Sequence, residues 1–429
     1  MNEQKKPQME RHLGTGGAML LGLGAMLGSG IFVSASLATE VAGVGVIGAT
    51  LVAAVLATLN ALNSAQLAAS HPVSGGAYEY GYRYATPFLG FTAGWLFLIA
   101  KSASAATAVL GCSAYLVNLG VPGGEGARGL AVVVLVVMTL LGLSGVRRAN
   151  WANIVVVGLT LLALSWFVLA GLQVLFDRES PSEMLTSSSG GTAQSFLQAT
   201  ALMFVAYTGY GRIATMGEEV RNPRQIIPRA IISTLVFTGV LYTVVVTVAV
   251  ATVGAEAFGQ TTGVGVAPLA EISSAFAGDT TGWAIALGAA ISLLGVSFNL
   301  ILGLSRVVLA MARRGDVPAI LSQLNTARTS PVYAVLAVSG LILILVIIAD
   351  IRIAWSLSAF TVLSYYGINN FCALRLPQEY RLYSRIIAWA GLGGCFFLAF
   401  WVEPRIWLVG GALIVIGGIW HGIARRRQA

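Results

Sequence analysis

Residues Gly22 to Ser34 read GLGAMLGSGIFVS, inside an apolar run long enough to cross a bilayer. Five small residues, Gly22, Gly24, Gly28, Ser29 and Gly30, fall in that stretch. A lone Gly24–Gly28 pair at small-xxx-small spacing is explained by close helix packing. Glycines at 22, 24 and 28, followed at once by Ser29 and Gly30, exceed what packing needs. Each glycine weakens a helix by about 1 kcal/mol, so the stretch favours an unwound segment. Lipid offers no partner to an unpaired amide or carbonyl, and such a break is tolerated only where it is buried in protein or lines a cavity.

The rest of the 429-residue chain agrees with a membrane setting. Hydrophobic residues make up 57% and charged residues 10%, with a mean hydropathy of +0.82. These values lie far outside the soluble globular range. Apolar runs separated by polar breaks number about twelve. They fall near 16–40, 44–70, 88–118, 129–146, 151–176, 195–218, 228–254, 281–312, 332–349, 354–374, 384–402 and 405–424. Alternating ten-residue strands of an outer-membrane barrel are not what the runs look like.

Lys and Arg are retained on the cytoplasmic side of membrane proteins. Twenty of the 25 basic residues fall in alternate loops that include both ends of the chain, and four (Arg128, Arg178, Arg352, Arg405) fall in the opposite loops. Both termini are therefore expected in the cytoplasm. The net charge of +8 is explained by this asymmetry and calls for no nucleic acid. The first apolar run is too long for a cleavable signal peptide. Three cysteines and three histidines, all scattered, form neither a disulfide framework nor a metal cluster.

A second interruption, FVAYTGYG from Phe204 to Gly211, falls in the sixth run. Breaks in the first and sixth of two five-helix halves are the sequence pointer to a transporter with inverted repeats. At the midplane, the amino ends of half-helices offer N–H groups to an anion and the carboxyl ends offer carbonyls to a cation. A zwitterionic amino acid has one of each charge.

GSGIF (Gly28 to Phe32) resembles the first-helix signature of the amino acid–polyamine–organocation (APC) transporters. FVAYTGYGRIATMGEEVRNPRQIIPRAI (Phe204 to Ile231) resembles their sixth helix and following loop. PVSGGAYEYGYRYATPFLGFTAGW (Pro72 to Trp95) is similar to the second loop and third helix, and SRVVLAMARRGDVP (Ser305 to Pro318) to the end of the eighth. The resemblance implies the LeuT-type fold and secondary transport of amino acids or related amines by alternating access. It implies that the backbone of Gly28, Ser29 and Gly30 receives the substrate carboxylate. Carbonyls of Ala25 or Met26 and of Phe204, Ala206 and Tyr207 would receive the ammonium. Ile31, Thr208 and Gly209 complete the two broken segments, and Tyr207 or Phe204 would close over the ligand; a simply packed tyrosine is the alternative for Tyr207.

Many proton-coupled relatives carry a lysine in the fifth helix, and Leu159 stands where that lysine would be placed here. Lys101 is the alternative coupling residue. About 11 residues from Gly90 at 1.5 Å each put it roughly 16 Å into the membrane. An ammonium at that depth is a functional hypothesis by default. Three readings stay open: a proton carrier, a fixed partner for an acidic substrate group, or a structural lysine bonded to carbonyls of the broken helices. Protons rank above sodium, for which carbonyls of Gly24 and Leu27 with the Ser297 hydroxyl form a candidate oxygen set.

Glu218 and Glu219 at the cytoplasmic end of the sixth helix, with Arg11 and Arg306, read either as an inward gate or as solvated helix ends. Arg212 follows the second break at once and is long enough to snorkel. SGGAYEYGYRYA lacks the strand and Lys-Ser/Thr ending of a phosphate loop, GLGAMLG fails the dinucleotide pattern, and no Ser-His-Asp set is present.

The sequence thus predicts an all-α integral membrane protein and not an enzyme. Its single transporter domain has a LeuT-type 5+5 inverted repeat with two additional helices, about 12–176, 195–375 and 384–424. The expected substrate is a small neutral amino acid, moved across a bacterial plasma (inner) membrane with proton coupling or by exchange, without a cofactor. Scarce pocket carboxylates argue against polyamines. An exporter, a sodium symporter and a non-transporting sensor are the rivals. A channel would line its pore with polar rings, which are not seen. Oligomeric state is not set by the sequence.

Overall fold

The computed structural model describes residues 14–72, 75–122, 127–144, 150–177, 191–214, 220, 222–325 and 330–426. Its described regular structure is helical. The first span is three pieces, α1 (Thr15–Met26), α2 (Ser29–Phe32) and α3 (Ser34–Ala42). There follow α4 (Val46–Ser70), a short α5 (Ala77–Tyr84), α6 (Pro87–Asn118), α7 (Ala127–Leu143) and α8 (Asn150–Phe176). The second half opens with α9 (Ala193–Tyr207) and α10 (Gly211–Ala214), then α11 (Pro223–Val253), two short helices α12 (Ala255–Gln260) and α13 (Pro268–Ala277), and α14 (Asp279–Arg314). It continues with α15 (Val332–Ile348) and α16 (Ile351–Leu374), and ends in α17 (Arg385–Ala399) and α18 (Pro404–Arg426). Seven helical segments among the described residues are long and apolar enough to cross a membrane, and α7, α15 and α17 are shorter apolar helices.

Helix starts follow the local chemistry. Pro87 begins α6, where its missing N–H is no loss, and Thr86 Oγ1 accepts from Leu89 N at 3.2 Å. Asp350 Oδ1 caps α16 by accepting from Ile353 N at 2.7 Å. With 32 residues, α6 is about 48 Å long and buried along most of its length, so it is the central post of the molecule. It packs along α14 and α16; α8 packs on α14, α4 on both α9 and α11, and α1 on α11. Outward faces of α8, α11, α15 and α18 carry exposed Leu162, Leu169, Val240, Ile348 and Leu408. An apolar girdle of this extent matches lipid rather than water.

Candidate functional site

The first span comes apart where its glycines cluster. α1 ends at Met26, Leu27 is extended at φ −72° and ψ 99°, and α2 restarts at Ser29. The sixth span departs less: α9 tightens into a 3-10 turn, Thr208–Tyr210, before α10. The tightened turn contains Gly209, and the full unwinding falls at Leu27 and Gly28.

Glycine also lets the two breaks touch. A Cβ on Gly209 would lie 2.6 Å from the Ala25 carbonyl carbon and oxygen, and one on Gly30 would lie 2.6 Å from Ala206 Cβ. Hydroxyls from neighbouring helices meet carbonyls released by the unwinding. Tyr242 donates to Met26 O at 2.6 Å and Ser292 to Leu27 O at 2.7 Å. On the sixth span, within α9 and before its turn, Leu202 O accepts from Trp355 Nε1 at 3.0 Å. The N–H groups of Ser29 and Gly30, opening α2, stand where helix geometry supplies no intrahelical acceptor.

Two cavities meet at this junction. The smaller, about 30 Å³, is lined by Ala25, Met26, Ser29, Gly30, Ala206, Thr208 and Gly209, with Lys101, Ser104 and Trp355 among the others. The larger, about 220 Å³, shares Ala25, Lys101, Thr208 and Gly209 and runs along α14 past Asn299 and Gly303 to Arg306 and Ala310. Lys101, 9% exposed, donates from Nζ to Thr208 Oγ1 at 2.8 Å, and Thr208 Oγ1 donates in turn to Val205 O at 2.7 Å. An ammonium inside the bilayer region is thereby tied to the turn of the sixth span.

Most residues singled out from the sequence converge here, with exceptions. Gly28 packs on Val296 and Ile31 is fully buried, neither lining a cavity. Phe204 and Tyr207 also line neither. Phe204 packs edge-on against Tyr366 with centroids 6.0 Å apart, and Tyr207 donates to Thr50 O at 3.2 Å beside Tyr242. Aromatic walls come instead from Trp355, Phe97 and Tyr365. Of the sodium candidates, Gly24 faces Asn153, and Ser297 donates to Leu294 O within its own helix. The hydroxyl meeting the Leu27 carbonyl is Ser292. Leu159 is 39% exposed and points outward, while its neighbour Thr160 is buried, so the inward position of the fifth helix is one residue further on and holds no lysine. Of the gate residues, Arg306 lines the larger cavity, and Arg11, Glu218 and Glu219 lie outside the described residues.

The larger family pattern agrees with this geometry. Residues 13–415 match the amino acid permease family. An uncharacterized transporter of Mycobacterium tuberculosis is 35% identical over 418 residues, 97% of this chain and 92% of the relative. The branched-chain amino acid permease BcaP of Bacillus subtilis is 28% identical over 344 residues, 76% of this chain and 72% of the relative. A vacuolar cationic amino acid transporter of Arabidopsis thaliana is 27% identical over 352 residues, 77% of this chain and 54% of the relative. A match that spans the broken first helix, the sixth-span turn and the cavity between them identifies this membrane protein as a transporter: the chain belongs to the amino acid permease family of the APC superfamily.

Proposed function

We propose that the chain is a secondary active transporter of small amino acids that works by alternating access, with the substrate held between the first and sixth spans. The observation that carries this is the junction itself, where main-chain groups of Ala25, Ser29, Gly30, Ala206 and Gly209 surround one cavity that continues into a wider vestibule. Ser29 and Gly30 amides take the α-carboxylate; carbonyls ending α1 and α9 take the ammonium.

An inverted 5+5 repeat over about 12–176 and 195–375, with two further helices to 424, is supported by how helices choose partners. In such a repeat the first span corresponds to the sixth, the second to the seventh, and so on. α1 packs on α11 as α9 packs on α4, and α6 packs on α16 as α14 packs on α8. Each pair turns into the other when the halves are exchanged. Loop helices obey the same exchange, with α5 lying against α6 and α13 against α14.

The basic-residue asymmetry supports cytoplasmic termini and a cytoplasmic Arg306 end of the vestibule, and with them a plasma-membrane carrier whose vestibule faces inward. Lys101 is the coupling group: its protonation alternates with opening of the pathway, since it reaches from the scaffold helix α6 to the sixth-span turn. The test is uptake by reconstituted protein across an amino acid panel, with pH and sodium gradients imposed separately. Accumulation driven by the pH gradient supports the reading. Saturable binding of amino acids with no flux under any gradient would leave a sensor and overturn it.

A further inference from the structure

The charges on the vestibule walls bear on which solute it takes. Lys101, Arg212 and Arg306 line the larger cavity, and no Asp or Glu lines it among the described residues. The three cations come from three elements, α6, α10 and α14. Arg212 Nη1 lies 3.8 Å from where a Cβ on Gly303 would be, and Arg306 stands three residues further along α14, about one turn. Two guanidinium groups therefore share the mouth, and an ammonium lies at the floor.

Lys101 is the informative member. It is more than nine-tenths buried, it borders both cavities, and it donates to a neutral hydroxyl, Thr208 Oγ1. A hydroxyl dipole offsets only part of what a full charge loses on leaving water, whereas a carboxylate within reach offsets far more. A buried cation at the floor of a low-dielectric cavity also focuses the field and raises the local concentration of the opposite ion. The shortage of carboxylates that argues against cationic solutes becomes, with the buried Lys101 ammonium in place, a positive argument for an anionic group.

Resting on the reading of this junction as a carrier's substrate site, we propose that the transported solute is an acidic amino acid, one with a second carboxylate. Its α-ammonium and α-carboxylate occupy the main-chain groups of the two breaks. Its side-chain carboxylate pairs with the Lys101 ammonium, and Arg306 at the mouth adds to the attraction. A solute with net charge −1 and the Lys101 cation sum to zero, so the loaded site changes access without an uncompensated charge in a low-dielectric interior.

The experiment compares isosteres. Full-length protein in phosphatidylcholine–phosphatidylglycerol proteoliposomes is assayed for counterflow of aspartate against asparagine and glutamate against glutamine, with alanine, leucine and lysine in the same panel. The acids are expected to exceed their amides by about tenfold or more. Lys101→Gln is expected to bring that ratio towards one, and Lys101→Arg to keep most of it. Raising salt should slow uptake of the acids more than of the amides, as steering predicts. Amides or other neutral or cationic amino acids carried by the wild type as well as the acids would overturn the substrate class and leave the carrier standing. No flux of any amino acid would overturn the carrier reading, and this inference with it.

Discussion

Lys101 Nζ lies 2.8 Å from Thr208 Oγ1, so the ammonium of α6 is fastened to the turn that interrupts the sixth span. A proton gained or lost at that nitrogen changes a contact between a central helix and the segment proposed to bear the substrate, which is the linkage that coupled transport requires. Replacing Lys101 with Ala should remove the response to protons. The ratio of uptake with an inward pH gradient to uptake without one should fall to about one, while exchange driven by solute alone persists at a reduced rate. A Lys101→Ala protein that still accumulates substrate along a pH gradient would assign the proton to another group.

The contact between the two breaks depends on a missing Cβ. Gly209→Ala places a methyl group 2.6 Å from Ala25 main-chain atoms, and backbone on both sides leaves little room to yield. Overpacking of this kind destabilises by about 1–3 kcal/mol, and here it also pushes apart the segments proposed to hold the substrate. Substrate binding should be lost along with a lower thermal midpoint in detergent. Gly340→Ala in α15, where nothing lies within 4 Å of the added Cβ, should be neutral or stabilising by up to about 1 kcal/mol. The contrast separates a generic glycine effect from a site effect.

How much of this was legible beforehand follows from what sequence can carry. The unwinding at Gly28 was legible because glycine density is a local property. Lys101 was legible because a charge in an apolar run is rare enough to stand out. Trp355 was not, because tryptophan in a membrane helix more often marks the headgroup level, and nothing local distinguishes a cavity wall. The direction of Phe204 and Tyr207 was equally hidden: one residue along a helix turns a side chain by about 100°, and only packing against Tyr366 and Tyr242 decides it. The same step separates outward Leu159 from inward Thr160. The 3-10 turn at Thr208 differs from a full break by a few backbone angles, which no residue pattern specifies.

At the opposite end from the vestibule, Arg352 at the start of α16 joins Glu40 in α3 at 3.0 Å and Glu403 before α18 at 2.9 Å. Thr262 donates to the second Glu40 oxygen at 3.2 Å. Neither glutamate stood out in the sequence, since each sits at a helix end where solvated charges are ordinary. The group ties the α3 end of the first span to α16, so under the proposed alternating access Arg352→Gln should favour opening on that side. Exposed pairs contribute at most about 1 kcal/mol, a factor of about five in population. Labelling of a cysteine introduced at the outer end of α3 should accelerate by no more than that factor, and high salt should reproduce part of the change in the wild type. A rate unchanged by Arg352→Gln would show that the three side chains merely share a surface.

A second anchor lies at the vestibule end, where Asp316, 4% exposed just past α14, accepts from Tyr78 Oη and Tyr82 Oη at 2.7 Å each. Arg314 lies 4.0 Å over the Tyr82 ring and pairs with Glu79 at 2.8 Å, and Trp420 Nε1 donates to Asp316 O at 2.8 Å. The loop helix α5 is thus held to α14 and α18. Asp316→Ala leaves the buried Tyr78 phenol and the half-buried Tyr82 phenol without their acceptor, a loss of about 1–3 kcal/mol, and should lower the thermal midpoint without altering substrate preference. Burial first, and the hydrogen bond to the Asp316 carboxylate second, raise both phenols above the usual tyrosine value. A group whose folded value is raised contributes stability that is complete below its unfolded value, about 10 for tyrosine, and is lost only as pH climbs through the folded one. The destabilisation by Asp316→Ala should therefore be the same at about pH 7 and pH 9. A difference between wild type and variant that shrinks across that interval would mean that the phenols titrate there and that the carboxylate does not hold them protonated.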